Sequence, residues 1–220
     1  MLTFNPTEAA QADRVSSQIT ETGKYIGVIT RAEKLLSKNN VQGLGLSFKA
    51  DDGSTADYLD LYTINAKGEV LPSMKTAQAI LGCLKIKQAT DGKIQCEKWN
   101  SQERKRETVS VNGYPELMGK RIGLLLQKEL STNTTNGNDV ERLQIFGVFQ
   151  ADTELTVSEI LARKTTPETL PKMLQALMAK PVRDGRKTKG NSHGGGNDYG
   201  YGYGDIPPQN SKGDYDDFTF

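Results

Sequence analysis

The chain is expected to be mainly β with appended helices. Three observations carry that reading. Five short segments, at 24–31, 43–49, 58–65, 121–128 and 141–150, are rich in β-branched, aromatic or alternating apolar residues. One strongly helical segment, 73–84, lies between the third and fourth of them. The last thirty residues, from Asn191 to Phe220, have no aliphatic periodicity and too many glycines and aspartates to build a core.

Taken in order, Asn5, Pro6 and Glu8 form a helix start, with Asn5 as cap and Pro6 at the first helical position. A short helix to about Val15 is expected inside an N-terminal arm, residues 1–19. KYIGVITR (24–31) reads as the first strand. GLGLSFK (43–49) alternates, with Leu44, Leu46 and Phe48 on one face and Gly43, Gly45, Ser47 and Lys49 on the other. YLDLYTIN (58–65) alternates as well, and Asp51-Asp52-Gly53 supplies the hairpin turn before it. Pro72-Ser73 opens a helix that aligns Met74, Ala77, Ile80, Leu81 and Leu84. Residues 85–120 are polar and irregular, an excursion with its own purpose. RIGLLLQK (121–128) and ERLQIFGVFQ (141–150) are two further strands. Thr156 and Glu159 form a capping box for a helix over 157–163. A helix over 169–179 aligns Leu170, Met173, Leu174, Leu177 and Met178 in one stripe, which implies core packing or self-association into a homo-oligomer more than a docking face for a partner. Strand, strand, strand, helix, strand, strand is the order of the OB-fold, a closed five-stranded Greek-key barrel. The expected organisation is an arm (1–19), a barrel domain with C-terminal helices (20–181), and a hinge and disordered tail (182–220).

Charge is distributed unevenly behind a net of +1. The hinge carries Arg183, Arg186, Lys187 and Lys189 against Asp184. The tail carries Asp198, Asp205, Asp214, Asp216 and Asp217 against Lys212, and closes on Phe218 and Phe220. An acidic leash with an aromatic tip can imitate nucleic acid, or plug a ring and a terminal carboxylate into a partner; the plainer use is solubilisation. No apolar run is long enough for a bilayer, so no membrane partner is expected. The first residues lack the pattern of a secretory signal. Cys83 and Cys96 form no CxxC pair, which fits reduced structural thiols in a cytosol, with a single disulfide as the poorly motivated alternative.

Nothing here assembles an active site. The single histidine, His193, lies in a glycine run, and no Walker or dinucleotide-binding motif occurs. No enzyme activity, catalytic residue, metal or cofactor is expected. Binding residues are easier to find. Tyr58 and Tyr62 lie four apart on one strand, hence on one face and about 13 Å apart. As outward platforms they would stack bases; alternatively they cover the barrel end or the C-terminal helices. Lys49 on the neighbouring strand would meet phosphate, and Tyr25 and Arg31 share a parity that would extend the groove. Lys98, Trp99, Arg104, Lys105 and Arg106 interleave cations with the only tryptophan, a pattern suited to single-stranded nucleic acid, unless Trp99 merely anchors the loop.

ETGKYIGVITRAEKL, followed by GLGLSFKADDG and YLDLYTIN, resembles bacteriophage-encoded single-stranded DNA-binding proteins, as does the acidic aromatic ending DYDDFTF. The resemblance implies an OB-fold that coats exposed DNA during replication and recombination in the cytoplasm of the infected bacterial host. It also implies a tail (Asp214, Asp216, Asp217, Phe218, Phe220) that recruits replication or recombination proteins. An OB-fold adaptor without nucleic-acid affinity, or a single-stranded RNA binder, is the alternative, because the fold serves all three uses.

Overall fold

The computed structural model describes residues 18–100, 102–103, 105–133 and 137–186. The expected N-terminal helix and the acidic tail lie outside the described residues. What is described is mainly β: eight strands in one predominantly antiparallel sheet, with three α-helices. The strands are β1 Gly23–Leu36, β2 Gln42–Ala50, β3 Thr55–Ile64, β4 Gly92–Asn100, β5 Lys105–Gly113, β6 Arg121–Thr132, β7 Asp139–Phe149 and β8 Val182–Asp184. The helices are α1 Ser73–Cys83, α2 Val157–Leu161 and α3 Thr169–Ala179. None of them is long and apolar enough to cross a membrane.

The expected closed five-stranded barrel is corrected by the pairing. The sheet is open: β3 pairs β2, β2 pairs β1, β1 pairs β6 and β6 pairs β7, with no β3–β7 ladder to close the ring. Two further corrections concern segments with little apolar content. The excursion 85–120 holds a hairpin, β4–β5, in register from Gly92↔Gly113 to Asn100↔Lys105. The start of the expected hinge, Val182–Asp184, is a strand lying parallel to β6.

β1 organises the molecule. Its first half pairs with β6 and its second half with β2, and Gly27 belongs to both ladders. A Cβ on Gly27 would lie 2.1 Å from the Lys49 carbonyl oxygen, so only glycine allows this close passage. Further on, Glu33 pairs with Gly113, which anchors the base of the β4–β5 hairpin to β1. A Cβ on Gly113 would meet the Ala32 carbonyl at 2.3 Å.

One core lies between the inner sheet face and α1. It gathers Ile29, Leu46, Phe48, Leu59, Ile80, Ile122, Leu124 and Leu126. A second lies on the other side of β6, where Leu125 and Phe149 receive Leu170, Met173 and Leu177 of α3. β6 is therefore covered on both faces, which explains its unbroken apolar run. The α3 stripe is core for Leu170, Met173 and Leu177, Leu174 packs beside them, and Met178 is exposed.

The capping box opens α2 as the sequence implies. Glu159 is buried and accepts hydrogen bonds from the Thr156 amide and hydroxyl, both at 2.9 Å, and from the Glu168 and Thr169 amides, both at 2.7 Å. One carboxylate thereby ties the start of α2 to the start of α3. Burial pushes its pKa up, but the hydrogen bonds outweigh that and hold it at about 2.

Candidate nucleic-acid interface

Two β-bulges build the site. On β1 the register with β2 shifts between Ile29 and Arg31, so Thr30 is an extra residue and the side-chain parity inverts. Before the bulge, Tyr25 and Ile29 face the core; after it, Ala32 faces the core and Arg31 and Glu33 face outward. On β3 the register with β2 shifts between Leu46 and Phe48, across Asp57 and Tyr58. Tyr58 takes a left-handed conformation, φ 59°, and projects from the sheet with 58% of its surface exposed. A left-handed tyrosine costs about 1 kcal/mol or more, a strain the surrounding sheet must hold.

The bulges bring Arg31 and Tyr58 onto one face, with Ser47 of β2 between their strands. The Arg31 guanidinium carbon sits 5.2 Å from the Tyr58 ring centroid, a cation–π contact. The β4–β5 hairpin reaches this face from the side. Trp99 and Arg106 are cross-strand partners on it, and Trp99 is 53% exposed. Arg31, Ser47, Asp57, Tyr58, Glu97, Lys98, Trp99 and Arg106 line a single narrow cleft.

Ion pairs hold the cleft together. Arg31, only 4% exposed, contacts Glu33 at 3.1 Å and Asp60 at 3.4 Å and donates to the Leu46 carbonyl at 3.2 Å. Its Nε makes no hydrogen bond among the described residues. Lys98 meets the other oxygen of Glu33 at 2.7 Å, and Arg106 meets Asp57 at 2.5 Å. Burial pushes the Asp60 carboxyl above its usual range while Arg31 pulls it down. The hydrogen bond to Asp57 raises the Arg106 pKa further above its ordinary value. Three cations thus face four carboxylates, Glu33, Asp57, Asp60 and Glu97, a formal net charge of −1, so the cleft is not the cationic surface that the spacing of lysines and arginines implies.

Of the residues singled out from sequence, Arg31, Tyr58, Lys98, Trp99 and Arg106 meet in this cleft. Lys49 is exposed on β2, two residues beyond Ser47 on the same face. Tyr62 lies further along β3 opposite Gly43, 42% exposed. Both tyrosines stay exposed with the C-terminal helices in place: α3 packs across β6, and α2 packs against α1 and the first core. Lys105 is at the hairpin tip, paired with Glu103 and Glu107. Tyr25 is a correction: the Thr30 bulge separates it from Arg31, and it packs against the core with its hydroxyl on the Glu21 carbonyl at 2.9 Å. Arg104 and the tail residues Asp214, Asp216, Asp217, Phe218 and Phe220 lie outside the described residues.

Sequence reasoning missed Glu33, Asp57, Asp60 and Glu97. Asp57 and Asp60 flank the Tyr58-Leu59 pair, and that adjacency was the available signal. Both cysteines are free and buried, and burial pushes the Cys83 thiol up to about 12, which leaves it inert. Compared with known proteins, the chain matches no family model and no curated protein sequence.

Proposed function

We propose that the protein binds single-stranded DNA with little sequence preference, using the outer face of β1–β2–β3 and the β4–β5 hairpin. The observation that carries this reading is the pair of exposed rings, Tyr58 and Trp99, on the walls of one cleft with the Arg31 cation behind the first. Large exposed aromatics held rigidly beside cations suit unpaired bases, because every base has a face to stack. Tyr62 and Lys49 would extend the track along β3 and β2. The order β3–β2–β1–β6–β7, with α1 between β3 and β6, supports an OB-like plan with an open seam.

The carboxylates around the cleft assign the roles. With Arg31, Lys98 and Arg106 already paired, stacking carries most of the affinity and phosphate attraction less. Duplex DNA, whose bases are stacked internally, offers such a site nothing. The biological setting we infer is coating of exposed strands during phage replication or recombination in a bacterial host. There the acidic tail engages replication proteins through Asp214, Asp216, Asp217, Phe218 and Phe220.

The test is fluorescence anisotropy with labelled poly-dT, poly-U and duplex DNA. Tyr58→Ala and Trp99→Ala should each weaken poly-dT binding by roughly 5- to 150-fold, the range of one lost stack. A folded double variant that binds like the wild type would refute the proposal. Preference for poly-U would redirect it to RNA, and binding to none of the three would leave an adaptor role.

A further inference from the structure

Among the described residues two ion pairs tie the β4–β5 hairpin to the sheet, and they differ in kind. Glu33 bridges two cations, Arg31 and Lys98, and is well shielded at 14% side-chain exposure. Removing Glu33 would leave the buried Arg31 guanidinium with only Asp60 and one carbonyl, so this inner pair is structural. The outer pair is different. Arg106 is 45% exposed, and its Asp57 partner sits at the cleft wall, one residue before the Tyr58 ring. Arg106 is also the cross-strand neighbour of Trp99. One anion–guanidinium contact therefore lies between the two exposed rings.

We propose that the Asp57 carboxylate is a stand-in for a backbone phosphate, and that Arg106 exchanges it for the phosphate of a nucleotide stacked on Tyr58 or Trp99. The inference rests on reading this face as a single-strand binder. Carboxylate and phosphate oxygens offer a guanidinium the same acceptors, so Arg106 meets either without a change of rotamer class. The pair is partly exposed, 45% at Arg106 and 19% at Asp57, and such a pair contributes modest stability that a phosphate partner for Arg106 offsets. Exchange also opens the cleft, because Arg106–Asp57 links the hairpin to β3. The Trp99 wall then loses one of the ties that hold it while the Lys98–Glu33 pair stays, which gives the cleft room to admit a base and the unpartnered Arg31 Nε–H an acceptor.

The consequence has an unusual sign: deleting a residue inside the binding cleft improves binding. Asp57→Asn keeps the shape and frees Arg106. Measured by anisotropy on labelled dT20 between about 50 and 300 mM NaCl, its affinity should rise roughly three- to tenfold at the low end. The slope of log affinity against log salt should steepen by about 0.7, one additional net phosphate contact on a single strand. In an Arg106→Gln background the same substitution should change nothing, which separates exchange at Arg106 from a general reduction in negative charge. Asp57→Ser serves if the amide perturbs the bulge. Unchanged or weaker binding by folded Asp57→Asn and Asp57→Ser, or an equal gain in the Arg106→Gln background, would overturn the inference. If the wild type binds and these variants show no gain, the exchange alone is wrong. If neither wild type nor variant binds, the single-strand reading falls with it, whereas binding by the variant alone would support the stand-in.

Discussion

Glu159 offers the most quantitative test of how the C-terminal helices are held. Its buried carboxylate accepts four hydrogen bonds, from the Thr156 amide and hydroxyl and from the Glu168 and Thr169 amides. Glu159→Gln keeps the size but replaces one acceptor oxygen with an NH2 group that faces other donors. The folded-state pKa of about 2 lies below the ordinary glutamate value of 4.5. At roughly 1.4 kcal/mol per pKa unit, the ionised carboxylate contributes on the order of 3 kcal/mol. Because the folded pKa is the lower one, this stabilisation is complete above about pH 5 and is lost as pH falls from about 4.5 towards 2. Urea unfolding followed by far-UV circular dichroism at several pH values isolates it, since every other carboxylate is common to both proteins. The wild type should exceed Glu159→Gln by about 3 kcal/mol at neutral pH, and the gap should close as pH approaches 2. A gap that stays constant with pH would refute the charge-based account and leave only a packing difference.

Deletion of residues 204–220 should tighten binding to single-stranded DNA, most at low salt, if the acidic tail competes for the cleft; unchanged affinity in gel shifts on poly-dT would remove that idea. Tyr58→Gly and Tyr58→Ala should lose DNA affinity equally, but the glycine variant should be more stable by about 1 kcal/mol in urea unfolding, because φ 59° suits glycine. Greater stability of the alanine variant would contradict the left-handed assignment.

The strands that face a core announced themselves. β3 alternates because one face is buried, β2 alternates because its outer face, though covered from Gly43 to Ser47, carries only small residues there, and β6 runs apolar because both faces are covered. β4 and β5 were illegible for the converse reason: GKIQCEKWN and KRETVSVNG bury only Ile94, Cys96 and Gly113, so the period-2 signal is faint. β8 is too short to carry a pattern. The capping box was readable because Thr156 and Glu159 act over three residues. The bulges were not. A bulge is a disagreement between two strands, and no single strand records it; hence Tyr25 and Arg31 shared a face on paper and occupy opposite faces in the fold. The closed barrel failed similarly, because the order of elements does not say whether the last ladder forms.

Those same irregularities concentrate the chemistry. An ideal β1 would send Arg31 into the core with Ile29, where an unpaired guanidinium is untenable. Inversion at Thr30 turns it outward, yet the hairpin then covers it, so it needs Glu33, Asp60 and the Leu46 carbonyl. The carboxylates that make Arg31 tolerable also offset the cleft's cations, and under the proposed single-strand reading that balance decides what the site can hold. A strongly cationic groove would grip any polyanion, duplex included. Under the proposed single-strand reading, a cleft without excess positive charge between exposed rings would discriminate by what phosphate attraction ignores, namely whether a base is free to leave its own stack.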